Sequence, residues 1–391
     1  MPTHRPGKHF LHIPGPTNVP DRVLAAISKP TIDHRSEEFG ELGLEVLYNL
    51  QRVFQTNQPV FMFPASGTGA WEAGLTNVLN AGDSILIYET GYFAAQWKRL
   101  ATKLGFDVKV IDSDWRTAVD PSRIYDYLIN DSTQRIKAVC VVHNETSTGV
   151  TSDILAVRNA IDDAKHQALL LVDTVSSLAS IDYQHDAWRV DVAIGGSQKG
   201  LMLPAGLSFN AVSARALTLH TKSQYNRGYW DWGDMLLHNE KGFFPYTPAT
   251  NLIFGLQESL KIILDEIGLD TVFGRHARHA SATRAAVAHW GLETVCRDHA
   301  AYSNTLTAVM TPPGASANQL RKKILDKFDM SLGTGLGKFN DQVFRIGHLG
   351  DLNDLSLTGT LSGVEMGLAL CGIPFNKGGV SKALDYLMRF D

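Results

Sequence analysis

Cysteine is scarce in this chain: Cys140, Cys296 and Cys371 are the only three, far apart and without a C-x-x-C pair. Their odd number and wide spacing provide neither a disulfide framework nor a thiolate zinc site, and they fit a reducing compartment in which each is a small core hydrophobe. Long apolar runs are missing too. The longest, at 138–142 and 168–172, fall far short of the roughly 20 residues that a bilayer-spanning helix needs. They read as buried strands. No apolar signal core follows Met1 to Lys8, and Met388-Arg-Phe-Asp391 is no address signal, so a cytoplasmic location is expected. Neither sign of charge dominates: 36 Lys+Arg stand against 40 Asp+Glu, a formal net charge of −4, with no long basic block. Nucleic acid and membrane are therefore poor partners, and small molecules are better ones. What the sequence does have is length and apolar content. Its 391 residues, 44% of them hydrophobic, suffice for one large domain and a smaller one.

Pro14, Gly15, Pro16 and Pro20 forbid regular helix at the start, so residues 1–20 are expected to form an extended arm of the kind that reaches toward a partner subunit. From about residue 21, helical patterns alternate with short apolar strands, the signature of βα units around a mostly parallel sheet flanked by helices. The clearest strands are Ser84 to Tyr88, Val108 to Ile111, Lys137 to Val142, Ala168 to Val172, Val192 to Ile194 and Leu207 to Ala211. Trp71, Gly74, Leu75, Val78 and Leu79 recur at helical spacing and predict an amphipathic helix after Gly69. Residues 213 to 250 lose the alternation and read as an aromatic, loop-like stretch. A helix from about Leu252 to Ile267 then leads onward. The expected organisation is an α/β protein with a large domain over 21–262 and a smaller α+β domain over 263–391.

Two strand ends carry the chemistry. Asp173 follows the run 169–172, and Lys199 follows 192–196, so both are expected at the C-terminal edge of the sheet, where open α/β sheets place their ligands. An aspartate and a lysine so placed suit pyridoxal phosphate: the lysine condenses with the aldehyde, and the carboxylate holds a proton on the ring nitrogen. Facing such a cation, Asp173 is expected to stay ionised at neutral pH. Ser66-Gly-Thr-Gly69 stands just before the amphipathic helix and offers hydroxyls, backbone N–H groups and the positive end of the helix dipole to a phosphate. His143 and Glu145 have no further ligands at metal-binding spacing, so no metal site is expected. His276 and His279 lie in a polar helical stretch and are expected to be solvated.

The joint order of these motifs resembles the class V, fold type I pyridoxal-phosphate aminotransferases, in particular their serine–glyoxylate and alanine–glyoxylate branch. The stretches that carry the resemblance span nearly the whole chain: Pro14-Gly-Pro-Thr-Asn18, Ser66-Gly-Thr-Gly69, His143-Asn-Glu-Thr-Ser-Thr-Gly149, Val172-Asp-Thr-Val-Ser-Ser177, Gly196-Ser-Gln-Lys-Gly200, Tyr246-Thr-Pro248 and Phe344-Arg-Ile-Gly347. The resemblance implies that Lys199 is the Schiff-base lysine and Asp173 the partner of the pyridine nitrogen. It implies that Ser66, Gly67, Thr68 and Gln198 hold the phosphate, joined by Tyr246 and Thr247 from the other subunit of a homodimer or homotetramer. Thr146 would bond the phenolic oxygen and line the substrate side, Val175 would lie against the ring, and Phe93 would stack on it. A stacking Phe departs from the His of cysteine desulfurases, and no cysteine lies on a plausible mobile loop. Arg345 matches the arginine that binds the substrate carboxylate, a task suited to a planar bidentate donor. Arg35 aligns with a segment that in relatives enters the neighbouring active site, and an exposed turn is the alternative for it. The implied reaction moves an amino group, with L-serine the favoured donor, to glyoxylate by ping-pong kinetics. Alanine and aspartate donors, a lyase or desulfurase, and a non-catalytic dimer are the alternatives.

Overall fold

The computed structural model describes residues 7–389. Residues 1–6 of the expected arm and the last two residues of the C-terminal tetrapeptide lie outside the described residues. In chain order the strands are β1 (Phe10–His12), β2 (Val60–Phe63), β3 (Ser84–Glu89), β4 (Asp107–Asp112), β5 (Ile136–Val142), the short β6 (Asn144–Glu145) and β7 (Val150–Thr151), β8 (Leu169–Asp173), β9 (Val192–Gly196), β10 (Ser208–Val212), β11 (Leu306–Met310), β12 (Met330–Thr334) and β13 (Val343–Gly347). The first four helices are α1 (Asp21–Ile27), α2 (Glu37–Phe54), α3 (Gly67–Val78) and α4 (Tyr92–Lys103).

Seven strands make the main sheet in the order β2-β10-β9-β8-β5-β3-β4. From β9 to β4 every neighbouring pair is parallel, while β10 runs antiparallel to both β2 and β9. Such a sheet needs cover on both faces, which is why β5 and β8 read as unbroken apolar runs rather than alternating ones. The side chains divide accordingly. Phe39, Leu50, Val139 and Phe209 belong to a core on one face, and Phe61, Ile87, Trp97 and Leu171 to a core on the other. All six expected strands are present within a residue or two of their expected ends. The expectation missed β2, whose four residues are too few to show a period.

Two further expectations are corrected. The stretch 213–250 is not all loop: it holds helices Ala214–His220 and Trp232–Asn239, capped by Ser213 and Asp231. Trp232 is fully buried, stacked on Phe61 at 5.5 Å, so its aromatics pack against the sheet. The helix expected over 252–267 begins at Thr250 and passes into a π-helical turn, Ile262–Ile267, which ends at Gly268. The 22-residue helix Leu269–Trp290 then enters a second body with its own core around Trp290, Leu320 and Phe344.

That second body contains a four-stranded sheet ordered β1-β12-β13-β11. Its first strand comes from the N-terminal arm, with Phe10 opposite Met330 and His12 opposite Leu332 in parallel register. Within the protomer the arm is thus an edge strand of the smaller sheet. Beyond it the chain returns to the large body, where the Thr17 N–H donates to the Gln198 carbonyl (3.2 Å) and the Thr17 hydroxyl to the Lys199 carbonyl (3.1 Å). The arm thus ties the smaller sheet to the backbone of Gln198 and Lys199, where the chemistry is expected.

Candidate active site

The C-terminal ends of β8 and β9 open onto a cavity of about 250 Å³ lined by Asp173, Val175, Gln198 and Lys199 from the strand ends and Ser66, Gly67, Thr68 and Trp71 from α3 and its approach. Phe93 from α4 and Thr146 from the turn after β6 also line it, with Val142, Asn144 and Ser176. Nine residues that the sequence put forward separately therefore share one cavity. Larger surface grooves exist elsewhere.

Asp173 is buried at the end of β8. The Val175 N–H donates to Oδ1 (2.7 Å) and the Trp71 indole N–H to Oδ2 (2.9 Å). Burial nevertheless pushes its pKa up to about 7, against these two donors, with Glu145 adding repulsion and Lys199 opposing it. In the chain by itself desolvation outweighs the hydrogen bonds; the expected ionisation is that of a carboxylate facing a ring cation. Lys199 is shifted the other way. Burial, reinforced by Arg345 and opposed by Asp173 and Glu145, brings it down to about 8. Its amine donates to the Pro14 carbonyl. Gly15, at φ +100°, is required there, because a Cβ would overlap the Lys199 side chain from Cδ to Nζ.

The opposite end of the cavity is an anion cradle. Ser66 occupies the N-cap of α3 without making a side-chain cap bond, and the first N–H groups of any helix lack intrahelical partners. A Cβ on Gly67 would lie 2.7 Å from Val175 Cγ2, so only glycine lets this turn rest on the cavity floor. Gln198 Oε1 is buried with no hydrogen-bond partner among the described residues. That oxygen accepts and so calls for a hydrogen-bond donor, while the free N–H groups that open α3 are the donors for an anion. A phosphate cradle, a lysine and a ring-facing carboxylate thus lie around one cavity, and pyridoxal phosphate fits that donor set.

Glu145, for which the sequence offered no metal-binding partner, has a structural role. It is fully buried, and its carboxylate accepts from the Ser147 N–H (3.0 Å) and hydroxyl (2.7 Å) and from the Phe93 and Ala94 N–H groups (3.2 Å each). It caps α4 from outside, since Gly91 at the N-cap has no side chain to do so. Burial still raises its pKa. The cap fixes the turn that holds Phe93 in the cavity wall. Arg345, on β13, is not among the residues that line the cavity but is tied to its wall: one Nη donates to the carbonyl of the lining residue Thr146 (2.7 Å), and its Nε donates to the Thr334 carbonyl (2.7 Å). These two bonds lock the guanidinium plane. Burial brings its pKa down to about 10, still cationic at neutral pH.

Three expected site residues lie elsewhere on the protomer. Tyr246 stacks on Tyr229 (4.1 Å, 13°) and donates to Met235 Sδ, and Thr247 is exposed. Arg35 is exposed on a turn in which its N–H bonds Asp33. Residues that the sequence reading missed include Trp71, taken as a packing position, and Asn144, whose amide donates to the Ser176 and Thr305 hydroxyls (2.8 and 2.9 Å). The histidines need correction as well. His276 and His279 are buried: His276 donates to the Val272 carbonyl (2.7 Å) and accepts from the Gly350 N–H (3.0 Å), and His279 meets Asp354 at 2.9 Å. They tie the long helix to the loop after β13. No group of three or more metal-ligating side chains occurs among the described residues, and no helix among them is long and apolar enough to cross a membrane.

A family model for aminotransferase class-V matches residues 9–336. The chain belongs to the class-V aminotransferases. It is 47% identical to a serine–glyoxylate aminotransferase of Methylorubrum extorquens, over 98% of this chain and 97% of that protein. It is 42% identical to an L-aspartate–glyoxylate aminotransferase of Paracoccus denitrificans, over 96% and 95%. Among solved structures, ureidoglycine–glyoxylate aminotransferase of Bacillus subtilis superposes with a TM-score of 0.91 at 26% identity, covering 99% and 100% of the two chains. That superposition takes in the whole of the architecture described above.

Proposed function

We propose that this aminotransferase uses pyridoxal phosphate to move the amino group of L-serine to glyoxylate, giving hydroxypyruvate and glycine in a ping-pong cycle. The observation that carries the reading is the shared cavity in which Lys199, Asp173 and the Ser66–Thr68 turn converge. Serine and glyoxylate are supported by the M. extorquens relative.

Bound pyridoxal phosphate supplies a covalent link to the substrate amine and a ring that accepts the electron pair left at Cα. Ser66, the N–H groups of Gly67 and Thr68, and Gln198 would hold its phosphate, and Phe93 and Val175 would cover the ring. Asp173 would keep the proton on the ring nitrogen by ion pairing, so that negative charge formed at Cα would be drawn away from it. The free Lys199 Nζ would take the Cα proton as a general base and return it as the acid. A lysine lowered to about 8 has a useful fraction of free amine near neutral pH, which an ordinary lysine lacks. Arg345 receives the α-carboxylate of donor and acceptor alike.

The second reading is an aspartate donor, favoured by the P. denitrificans relative. A distal carboxylate needs a second cation, and Lys199 is the only one in the cavity wall. Arg35 would have to supply it from a neighbouring subunit. Tyr246 and Thr247 likewise lie away from their own cavity, and we place them at a partner's phosphate in a homodimer or a tetramer of such dimers. The three free cysteines favour a cytoplasmic setting. Initial rates with glyoxylate and L-serine, L-aspartate or L-alanine test the reading. A kcat/KM highest for serine, with parallel double-reciprocal lines, is expected; a preference for aspartate abolished by Arg35→Ala overturns serine in favour of the second reading.

A further inference from the structure

We infer that Trp71 is a positioning residue for the reaction, acting through Asp173; the inference rests on the pyridoxal-phosphate reading above. Trp71 lines the cavity from the second turn of α3, and its indole N–H meets Asp173 Oδ2 at 2.9 Å. The other oxygen is taken by the Val175 N–H at 2.7 Å, so each carboxylate oxygen has one fixed donor and the plane of the group cannot turn. The indole is itself immobilised. It lies parallel to Trp97 of α4, ring centres 5.8 Å apart and planes 9° apart, and Trp97 is fully buried. A rigid aromatic with its single donor aimed at a carboxylate is more than packing, because a Leu or Phe fills that space without orienting anything.

The electrostatic consequence follows from the surroundings of Asp173. The charged groups it feels are Glu145, which repels its negative form, and Lys199, which favours it. Burial opposes ionisation, and the two N–H donors are what counters burial within the protein. A donor on the ionised carboxylate stabilises the form that the ring nitrogen's proton requires. Without the indole N–H, the carboxylate is more basic and turns more freely, and it competes for the proton that it should leave on the ring.

Trp71→Phe keeps an aromatic face toward Trp97 and removes the donor. The probes are pyridoxal phosphate and its 1-deaza analogue, which carries C–H where the ring nitrogen would be, each titrated into cofactor-free protein. The wild-type protein is expected to prefer pyridoxal phosphate. In Trp71→Phe the affinity for pyridoxal phosphate should fall about tenfold while that for the analogue stays within about twofold. In the loaded variant kcat should fall with KM for the amino donor little changed. Equal weakening toward both probes, or an unchanged preference, overturns the role of Trp71. A wild-type protein that binds neither probe, or both alike, instead overturns the pairing of Asp173 with a ring nitrogen. If Trp71→Phe does not fold, the Trp71 indole resonance of 15N-Trp-labelled wild-type protein decides: it should move on loading with pyridoxal phosphate and hardly with the analogue, and equal movement with both contradicts the inference.

Discussion

Two regions of this protein bury titratable groups densely, and they are built to opposite ends. In the histidine cluster between the helix Leu269–Trp290 and the loop after β13, the polar ring atoms meet partners: His276 bonds Val272 and Gly350, His279 bonds Asp354, and His348 bonds Thr307 (3.0 Å) and Asn304 (3.2 Å). Burial lowers all three pKa values, His276 to about 3, yet none of the three lines the cavity that holds Lys199 and Asp173. At the ends of β8 and β9 the groups converge on a cavity instead. Gln198 Oε1 has no partner among the described residues, Lys199 has one carbonyl, and Asp173 is ionised with difficulty. The contrast shows that a shifted pKa does not identify a site. Polar atoms left for something else to satisfy, around a space able to hold it, do so.

The comparison breaks most directly at Lys199. Lys199→Ala should cost about a thousandfold or more in turnover, while Tm stays level or rises because a buried amine is gone; turnover within tenfold of wild type would remove the lysine from the mechanism. Arg345→Ala should lower kcat/KM for donor and acceptor alike by roughly ten- to a hundredfold, the worth of hydrogen bonds to a charged group. An effect confined to one substrate would mean that Arg345 does not hold the shared carboxylate.

On the structural side, His276→Ala should cost about 1–3 kcal/mol of stability in denaturant titration, because it leaves the Gly350 N–H unpaired, with kcat/KM unchanged. A kinetic defect with intact stability would invert the roles of the two regions. The smallest effect is a pH trend. His276, lowered to about 3, contributes stability that is present above the unfolded histidine value of about 6.5 and is lost as pH falls through that window. Asp173, raised from 3.8 to about 7 in the cofactor-free chain, works the other way: its contribution is full at low pH and is lost as pH rises from about 4 to about 7. Cofactor-free Asp173→Asn should therefore gain on wild type across pH 4 to 7, by at most about 1.4 kcal/mol per pH unit. Calorimetric scans over that range measure it, and a difference that does not vary with pH would show that Asp173 ionises freely.

The positions of Asp173 and Lys199 were legible because a polar residue after an unbroken apolar run marks a strand end, and strand ends of parallel sheets face ligands. The Ser66–Gly69 turn was legible because small residues before a helical period mark an anion-binding helix start. Trp71 was not, since the spacing that puts it on the buried face of α3 does not say that its N–H meets a carboxylate 102 positions away. His276 and His279 looked solvated among Arg and Ser, because the loop and Asp354 that cover them come some 75 residues later. The capping role of Glu145 was not legible because the bare N-terminus of α4 lies about 50 residues before it. The arm was recognised as extended from its prolines, but its pairing with β12 spans 320 positions, beyond any local pattern. Local chemistry was readable, and long-range partners were not.

The central claim is that Lys199 and Asp173 carry out an amino-group transfer on pyridoxal phosphate. It is tested most directly by the visible absorption spectrum of the loaded protein before and after adding L-serine with no acceptor present. The account predicts a yellow band that gives way to the pyridoxamine form, with one hydroxypyruvate released per site and the band restored by glyoxylate. A band that no amino acid alters, or keto acid released continuously without an acceptor, would contradict it.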